Sequence, residues 1–547
     1  MTFALPPLER ASAEVLVIGG GLAGHQAAIA AALAGRRVIL AHLARGASPH
    51  VIGANVPLGH VEAADGPAAY AEDMVAGGYG LNDRGLVTAL AERSVGVFQD
   101  LAALGIPFAN RDGRYLQRHL SGNRHPRSVY VPEGTGRVIL DHLARRAAAL
   151  GVEVLAGWQA VSLLDDADGV AGALLYRKAG ERLLAVQAGA VVLAAGGIGR
   201  LYDDSTYPAD VAAGAYALAY DAGATLIDME FVQFEPTVTV HPAACRGMEM
   251  PTAMLGDGAT LLNAAGERFM FRHNPEHGEK RIEKARMSLA IQDEIDAGRG
   301  FPDGTVAMDT TLVPAEKLET YQSHCRRLRQ AGLDPAHEMP RVRPAAHSQM
   351  GGIRIDANGF TGVPGLYAAG EATGGVHGAS RLAGNGGGET IVFGVIAGEA
   401  AARAATPPRH RAGQAAAALA RLADQATGDA DPGRVKDGLR ATMSRHVGLY
   451  RTAAGLGAAL DEITQAEQAI ADGLTIARLD DAVTALETRH MALSARMIAM
   501  AAAERTESRG AHQRRDHPER DDGAWLRHVG FRRGSDGGLE MVAVPID

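Results

Sequence analysis

The run Glu14-Val15-Leu16-Val17-Ile18-Gly19-Gly20-Gly21-Leu22-Ala23-Gly24 decides the fold of this 547-residue chain. Its first five residues predict a short buried strand. A three-glycine turn follows, then an Ala-rich segment to Leu33, then Gly35 and a second apolar run, Val38–Ala41. Strand, tight turn, helix, C-cap glycine, strand is a βαβ unit. Within it Gly19, Gly21 and Gly24 form GxGxxG. The first glycine allows the tight turn, the second lets the backbone reach a pyrophosphate, and the third permits close helix–sheet packing. Phosphates then sit at a helix N-terminus, where unpaired N–H groups and the helix dipole favour anions. Alone the motif also fits any Gly-rich strand–helix turn; the βαβ context makes it a dinucleotide site. The second strand ends in Ala41-His42 with no acid for ribose hydroxyls, which argues against NAD and leaves FAD open.

Composition narrows the field. Hydrophobic residues at 47% and charged residues at 21% are those of an ordinary globular chain. A net charge of −9, few aromatics and no long basic run exclude a nucleic-acid binder. Arg514-Arg515 and Arg532-Arg533 are expected on a solvated face. Cys245 and Cys325, two distant thiols, cannot hold an iron–sulfur cluster, so any such relay belongs to another chain. Pro6, Pro7 and Glu9 interrupt the N-terminus where a signal peptide needs an apolar run, and no transmembrane stretch follows. A cytoplasmic enzyme is expected.

From Val152 to Leu193 short apolar runs predict a small antiparallel insertion returning to a buried strand at Ala190–Ala194. Residues 227–341 are rich in turns and charges and are expected to form a separate cap. Pro407-Pro408 marks a boundary before an Ala-rich helical pattern from Gln414 to Thr506. The tail, Arg532–Asp547, carries no recognisable chemistry.

Four further segments are specific. They are Gly189–Gly197 (GAVVLAAGG), Arg343–Ile353 (RPAAHSQMGGI), Gly362–Gly398 (GVPGLYAAGEATGGVHGASRLAGNGGGETIVFGVIAG) and Glu507–His528 (ESRGAHQRRDHPERDDGAWLRH). In this order they resemble the flavoprotein subunits of succinate dehydrogenase and fumarate reductase, with L-aspartate oxidase and the flavoprotein (α) component of adenylylsulfate reductase as relatives. The resemblance covers nearly the whole chain. It implies an α/β fold: a Rossmann-like FAD-binding domain (1–226 and 342–405), an inserted α+β capping domain (227–341), and a C-terminal helical domain and tail (406–547).

The resemblance also implies roles. FAD is held by the glycine loop, by Ala195 and Gly196, by Glu371 on the ribityl chain, and by the turn of Asn385, Gly387 and Thr390 facing the flavin. His347 and Arg381 match the ligands of a substrate carboxylate, for which a histidine donor and a planar guanidinium are suited. His377 is expected to be structural or beside the cofactor rather than in the chemistry. The implied reaction is hydride transfer between flavin N5 and a small carboxylic acid, with proton transfer on the neighbouring carbon.

The chain departs from the family in its cap. The family's Gln-Phe-His-Pro-Thr reads Gln233-Phe234-Glu235-Pro236-Thr237, and its Thr-Glu pair reads Pro251-Thr252. Lys284 falls at the position of the arginine proton donor, with Arg281 and Arg286 as alternatives under a register shift. A second substrate carboxylate would meet Glu235, so plain succinate, fumarate or aspartate is disfavoured. Either Glu235 faces an amine, amide or hydroxyl of the substrate, or it pairs with a cap lysine or arginine. The family's flavin-linking Ser-His-Thr run reads Ser48-Pro49-His50-Val51; non-covalent FAD is expected, with a His50 link as the alternative. Three functions follow: a dehydrogenase or reductase passing electrons to an iron–sulfur, ferredoxin or quinone-linked partner; an L-aspartate-oxidase-like oxidase; or an adenylylsulfate-reductase-like flavoprotein or electron-transfer module.

Overall fold

The computed structural model describes residues 5–208, 211, 213–408 and 412–547. Met1–Ala4, where the segment expected to lack a signal sequence begins, lie outside them. The opening strand runs Leu8–Ile18, longer than its apolar core implies. It pairs in parallel with Val38–His42 on one side and Arg182–Leu193 on the other. Leu366–Ala368 adds a further parallel strand beside Arg182–Leu193. Val15–Ile18, buried throughout, form the unbroken apolar run that a strand covered on both faces requires. The carboxyl ends of these strands, Ile18, His42, Leu193 and Ala368, share one edge of the sheet.

The expected antiparallel insertion is present and joins the main sheet. Gln159–Asp166 and Gly169–Arg177 extend the same seven-stranded sheet through Arg182–Leu193, and Glu153–Ala156 extends it past Val38–His42. Helix Leu22–Leu33 packs closely on helix Asn385–Ala404. A Cβ at Gly394 would lie 2.6 Å from the Ala23 carbonyl oxygen, and one at Gly398 2.4 Å from that of Ala27. The two helices therefore bring both of their N-termini to the same sheet edge.

A second, four-stranded sheet runs in the order Val232–His241, Arg341–Gln349, Val306–Asp309, Thr260–Leu262. Its apolar core is rich in methionine (Met248, Met250, Met254, Met270, Met287 and Met308) and contains both cysteines, buried and free. The first two strands pair with Gln233 opposite Ser348 and Phe234 opposite Ala346. His347 is thus the extra residue of a β-bulge, a device that re-aims a side chain.

Helices Pro432–His446, Ala453–Asp472 and Leu479–Glu504 carry the C-terminal part. The tail is not featureless. His528–Arg533 and Leu539–Val544 form a hairpin that pairs with Leu226–Ile227, which in turn pairs with Gly352–Ile353. The Glu507–His528 segment folds into a buried ionic network. Arg505 donates to Glu230 (2.6 Å) and Glu507 (3.1 Å), Arg509 to Glu507 (2.6 Å), and His528 meets Asp228 (2.6 Å) and Asp83 (3.1 Å). Arg514 belongs here as well. Contrary to the expected solvated face, its guanidinium is buried on Asp516 and the carbonyls that end the Leu479–Glu504 helix. Arg515, Arg532 and Arg533 are exposed.

Candidate active site

A cavity of about 980 Å³ runs along the shared strand edge and under the second sheet. One end is the glycine loop. A Cβ at Gly24 would lie 1.8 Å from the Gly19 carbonyl oxygen, so only glycine lets the helix begin this close to the strand. Ser48 Oγ accepts from Leu22 N at 3.0 Å and fixes that helix start. Gly19, Gly21, His42, Ser48, His50, Ala195 and Gly196 line this end; Gly24 packs behind it. His42 Nδ1 is buried here without a protein partner.

At the other end the cavity meets the N-terminus of helix Asn385–Ala404, lined by Gly387, Glu389 and Thr390. Asn385 does not reach the cavity wall. It is buried behind it, its Oδ1 accepting from Asn55 (2.6 Å) and Tyr70 (2.9 Å). Glu371, on the wall, accepts from Tyr207 Oη and from Gln349 N. Burial raises its pKa against these two donors. Glu389, buried and close to Glu371, is pushed up to about 8, first by burial and then by that neighbour; its Oε1 has no partner.

Between these ends stand the candidate catalytic residues. Arg381 donates from Nη2 to Gln233 Oε1 and accepts from Gln233 Nε2 at its carbonyl, both at 3.1 Å. Its Nε is buried without a partner, and no acid among the described residues is paired with it. His347 Nδ1 lies 3.0 Å from Thr206 Oγ1. Burial lowers the His347 pKa to about 3, with Lys284 and Arg381 adding to the effect against Glu249. The ring is neutral at physiological pH.

Lys284 begins helix Lys284–Asp296, which Ser288 Oγ fastens to the Phe234 carbonyl at 3.1 Å. Its ammonium bonds Glu235 Oε2 at 2.5 Å and lies 3.6 Å from Glu249 Oε1. Burial works against that charge, but the two carboxylates outweigh it and the pKa is raised. Glu235 is fully buried and stands behind Lys284, off the cavity wall. Burial raises it to about 7 despite Lys284. Of the two expectations for Glu235, the structure therefore displays the lysine pairing.

Arg286 is exposed and away from the cavity, because the helix turns it outward two positions past Lys284; Arg281 is exposed as well. His377 lines the wall, its pKa lowered to about 3 by burial and then by Arg381. Sequence reading missed Glu249, Tyr207 and Thr206. Glu249 arrives on the wall because the segment after Val232–His241 turns back on that strand, Thr239 N bonding Met248 O and Met250 N bonding Thr237 O. Glu235, Glu249 and His347 bring potential ligand atoms within 4.8 Å of one another. Lys284 occupies the Glu235 oxygen and puts its own positive charge where a metal ion would sit.

A cleft at the carboxyl edge of a Rossmann-type sheet, with helix N-termini at both ends, marks the chain as a dinucleotide-binding protein. FAD fits it. The bare backbone of Gly19, Gly20 and Gly21 meets the cleft at one end, and that of Gly386 and Gly387 at the start of helix Asn385–Ala404 meets it at the other. The sequence profile of the FAD binding domain matches residues 14–386, and that of the fumarate reductase flavoprotein C-terminal region matches residues 436–546. The chain belongs to the succinate dehydrogenase/fumarate reductase flavoprotein family and is an FAD-dependent oxidoreductase. A fumarate reductase (CoM/CoB) of Methanothermobacter marburgensis contributes one such relative, 33% identical over 536 residues and spanning 95% of this chain and 97% of that protein. L-aspartate oxidase of Caulobacter vibrioides is 35% identical over 518 residues, spanning 92% and 94%. The quinol fumarate reductase of E. coli superposes with a TM-score of 0.90 at 28% identity, covering 98% of this chain and 97% of that one. No helix among the described residues is long and apolar enough to cross a membrane.

Proposed function

We propose that the chain exchanges a hydride equivalent between its FAD and a small carboxylic acid held by Arg381 and His347, with Lys284 handling the proton. The observation that carries this reading is Arg381: a guanidinium on the cavity wall, held by a neutral glutamine and paired with no acid among the described residues. Such a group is built for an incoming carboxylate. The bound FAD supplies the redox chemistry.

The residues divide the remaining work. Gln233 fixes the guanidinium plane. A neutral His347 whose Nδ1 accepts from Thr206 carries its proton on Nε2 and donates it to the carboxylate. Lys284 Nζ bears the proton that the substrate carbon gains or loses, and Glu235, 2.5 Å away with a pKa near 7, is the group that exchanges it. The dinucleotide end is read as Gly19, Gly21, Ala195 and Gly196. Glu371, Gly387 and Thr390 serve the flavin end, and Asn385 supports them from behind. The 227–341 segment is read as the cap over the cleft.

The like-charge conflict for a second substrate carboxylate lies at Glu249 rather than Glu235, and plain succinate or fumarate stays disfavoured. An oxidase is the second reading, favoured by the L-aspartate oxidase likeness; steady peroxide formation in air separates it from a dehydrogenase. With both cysteines buried apart from the cleft, we read the electron partner as a separate iron–sulfur, ferredoxin or quinone-linked protein and the location as cytoplasmic. The test is anaerobic flavin bleaching by a panel of carboxylic acids. Bleaching that Arg381→Gln shifts to far higher substrate supports the assignment; bleaching indifferent to that change refutes it.

A further inference from the structure

Glu249 lines the cavity with its side chain 18% exposed, yet makes no hydrogen bond among the described residues. Its nearest cation, Lys284, stands 3.6 Å away and is already bonded to Glu235. One carboxylate oxygen lies within 4.8 Å of a His347 ring nitrogen, so it sits beside the proposed carboxylate anchor. Glu249 is therefore a carboxylate on the cavity wall whose one ionic partner among the described residues, Lys284 at 3.6 Å, lies beyond hydrogen-bond distance.

The charges of the site point the same way. Arg381 and Lys284 are cationic, Glu235 and Glu249 anionic, and His347 neutral. Among these five groups the charges cancel when Glu235 is ionised. A zwitterionic α-amino acid preserves that balance on entry. A dicarboxylate adds two negative charges and sets one against Glu249, and buried net charge is strongly disfavoured.

We infer that Glu249 is a specificity-determining residue that receives the ammonium group of the substrate, so that the acid held by Arg381 and His347 is an amino acid. This rests on the carboxylate reading above. A metal ion is the weaker occupant, because Lys284 already fills the Glu235 side of the cluster. The ammonium supplies the N–H donors that Glu249 lacks and lies within one bond of the carbon bearing the anchored carboxylate.

The test is binding, measured by calorimetry on the FAD-loaded protein with matched pairs: aspartate and succinate, glutamate and glutarate, alanine and propionate. Wild type should bind the amino member of at least one pair tighter by on the order of tenfold or more, the worth of one charge-assisted hydrogen bond. Glu249→Gln should erase that preference while leaving the deaminated member bound as well or better; Glu249→Asp should retain part of it. Flavin content and unfolding midpoint report whether each variant is folded. Equal binding within every pair, or a preference that survives in Glu249→Gln, overturns the inference alone, provided Arg381→Gln still weakens binding. If no acid binds in an Arg381-dependent manner, the carboxylate reading falls, and this inference with it.

Discussion

Replacing Lys284 with methionine removes the ammonium from a fully buried carboxylate and keeps most of the side-chain volume. The expected loss is set by Glu235, which can escape its uncompensated charge by taking a proton. Its pKa is about 7 with Lys284 in place. Lys284 is the strongest influence holding it down, so the variant pushes it above that value. Below pH 7 Glu235 is protonated in both proteins, and the charge-dependent difference reduces to the lost Lys284–Glu249 attraction. Above pH 7 the wild type ionises while the variant must hold its proton, at roughly 1.4 kcal/mol per pH unit. The variant should therefore be less stable by about 3 kcal/mol at pH 9, on top of a small pH-independent packing change. Urea unfolding of the FAD-loaded proteins from pH 6 to 9 measures this. Adding Glu235→Gln should flatten the difference without restoring turnover. A difference that is flat across this range, or larger at pH 6, would refute the assignment of Glu235 as a buried acid held by Lys284.

His347, lowered to about 3, binds fewer protons folded than unfolded between pH 3 and 6.5. Its contribution to stability is full above pH 6.5 and is lost as pH falls, so His347→Gln should reduce acid sensitivity in unfolding scans. His528 is raised to about 10, with Asp228 and Asp83 together outweighing burial, which acts the other way. Its contribution is full below pH 6.5 and is lost as pH rises through 10; His528→Gln should cost about 3–5 kcal/mol near neutrality and remove that alkaline transition. Arg381→Lys keeps the charge but loses the planar fork, and KM for the substrate should rise on the order of tenfold or more. Gly24→Ala places a Cβ 1.8 Å from the Gly19 carbonyl oxygen, and the purified protein should carry little flavin.

The dinucleotide end was legible because its chemistry is local. Gly19, Gly21 and Gly24 act within six residues of one another, and the strand–turn–helix pattern around them needs no tertiary information. Arg381 and His347 were nominated only through resemblance, since the bulge that aims His347 depends on the pairing of Val232–His241 with Arg341–Gln349. Glu249 was not legible. It lies fourteen positions past Glu235 and reaches the same space because the chain doubles back, which composition does not encode. Asn385 and Arg286 lie off the cavity wall for a simpler reason. Each sits within two residues of a wall-lining position, and helical rotation turns the neighbour away. Arg514 misled because a charge pair in sequence looks the same whether it faces water or caps a buried helix end.

Anaerobic titration of the FAD-loaded protein with amino- and unsubstituted carboxylic acids, following the visible flavin band in wild type and Arg381→Gln, decides whether Arg381 anchors a substrate that exchanges electrons with the flavin. At least one acid should bleach the wild-type flavin, or its oxidised counterpart should restore the colour of the reduced protein, and Arg381→Gln should require far more of it. A fully loaded flavin that no acid reduces or reoxidises, or one whose response ignores Arg381, would contradict that role.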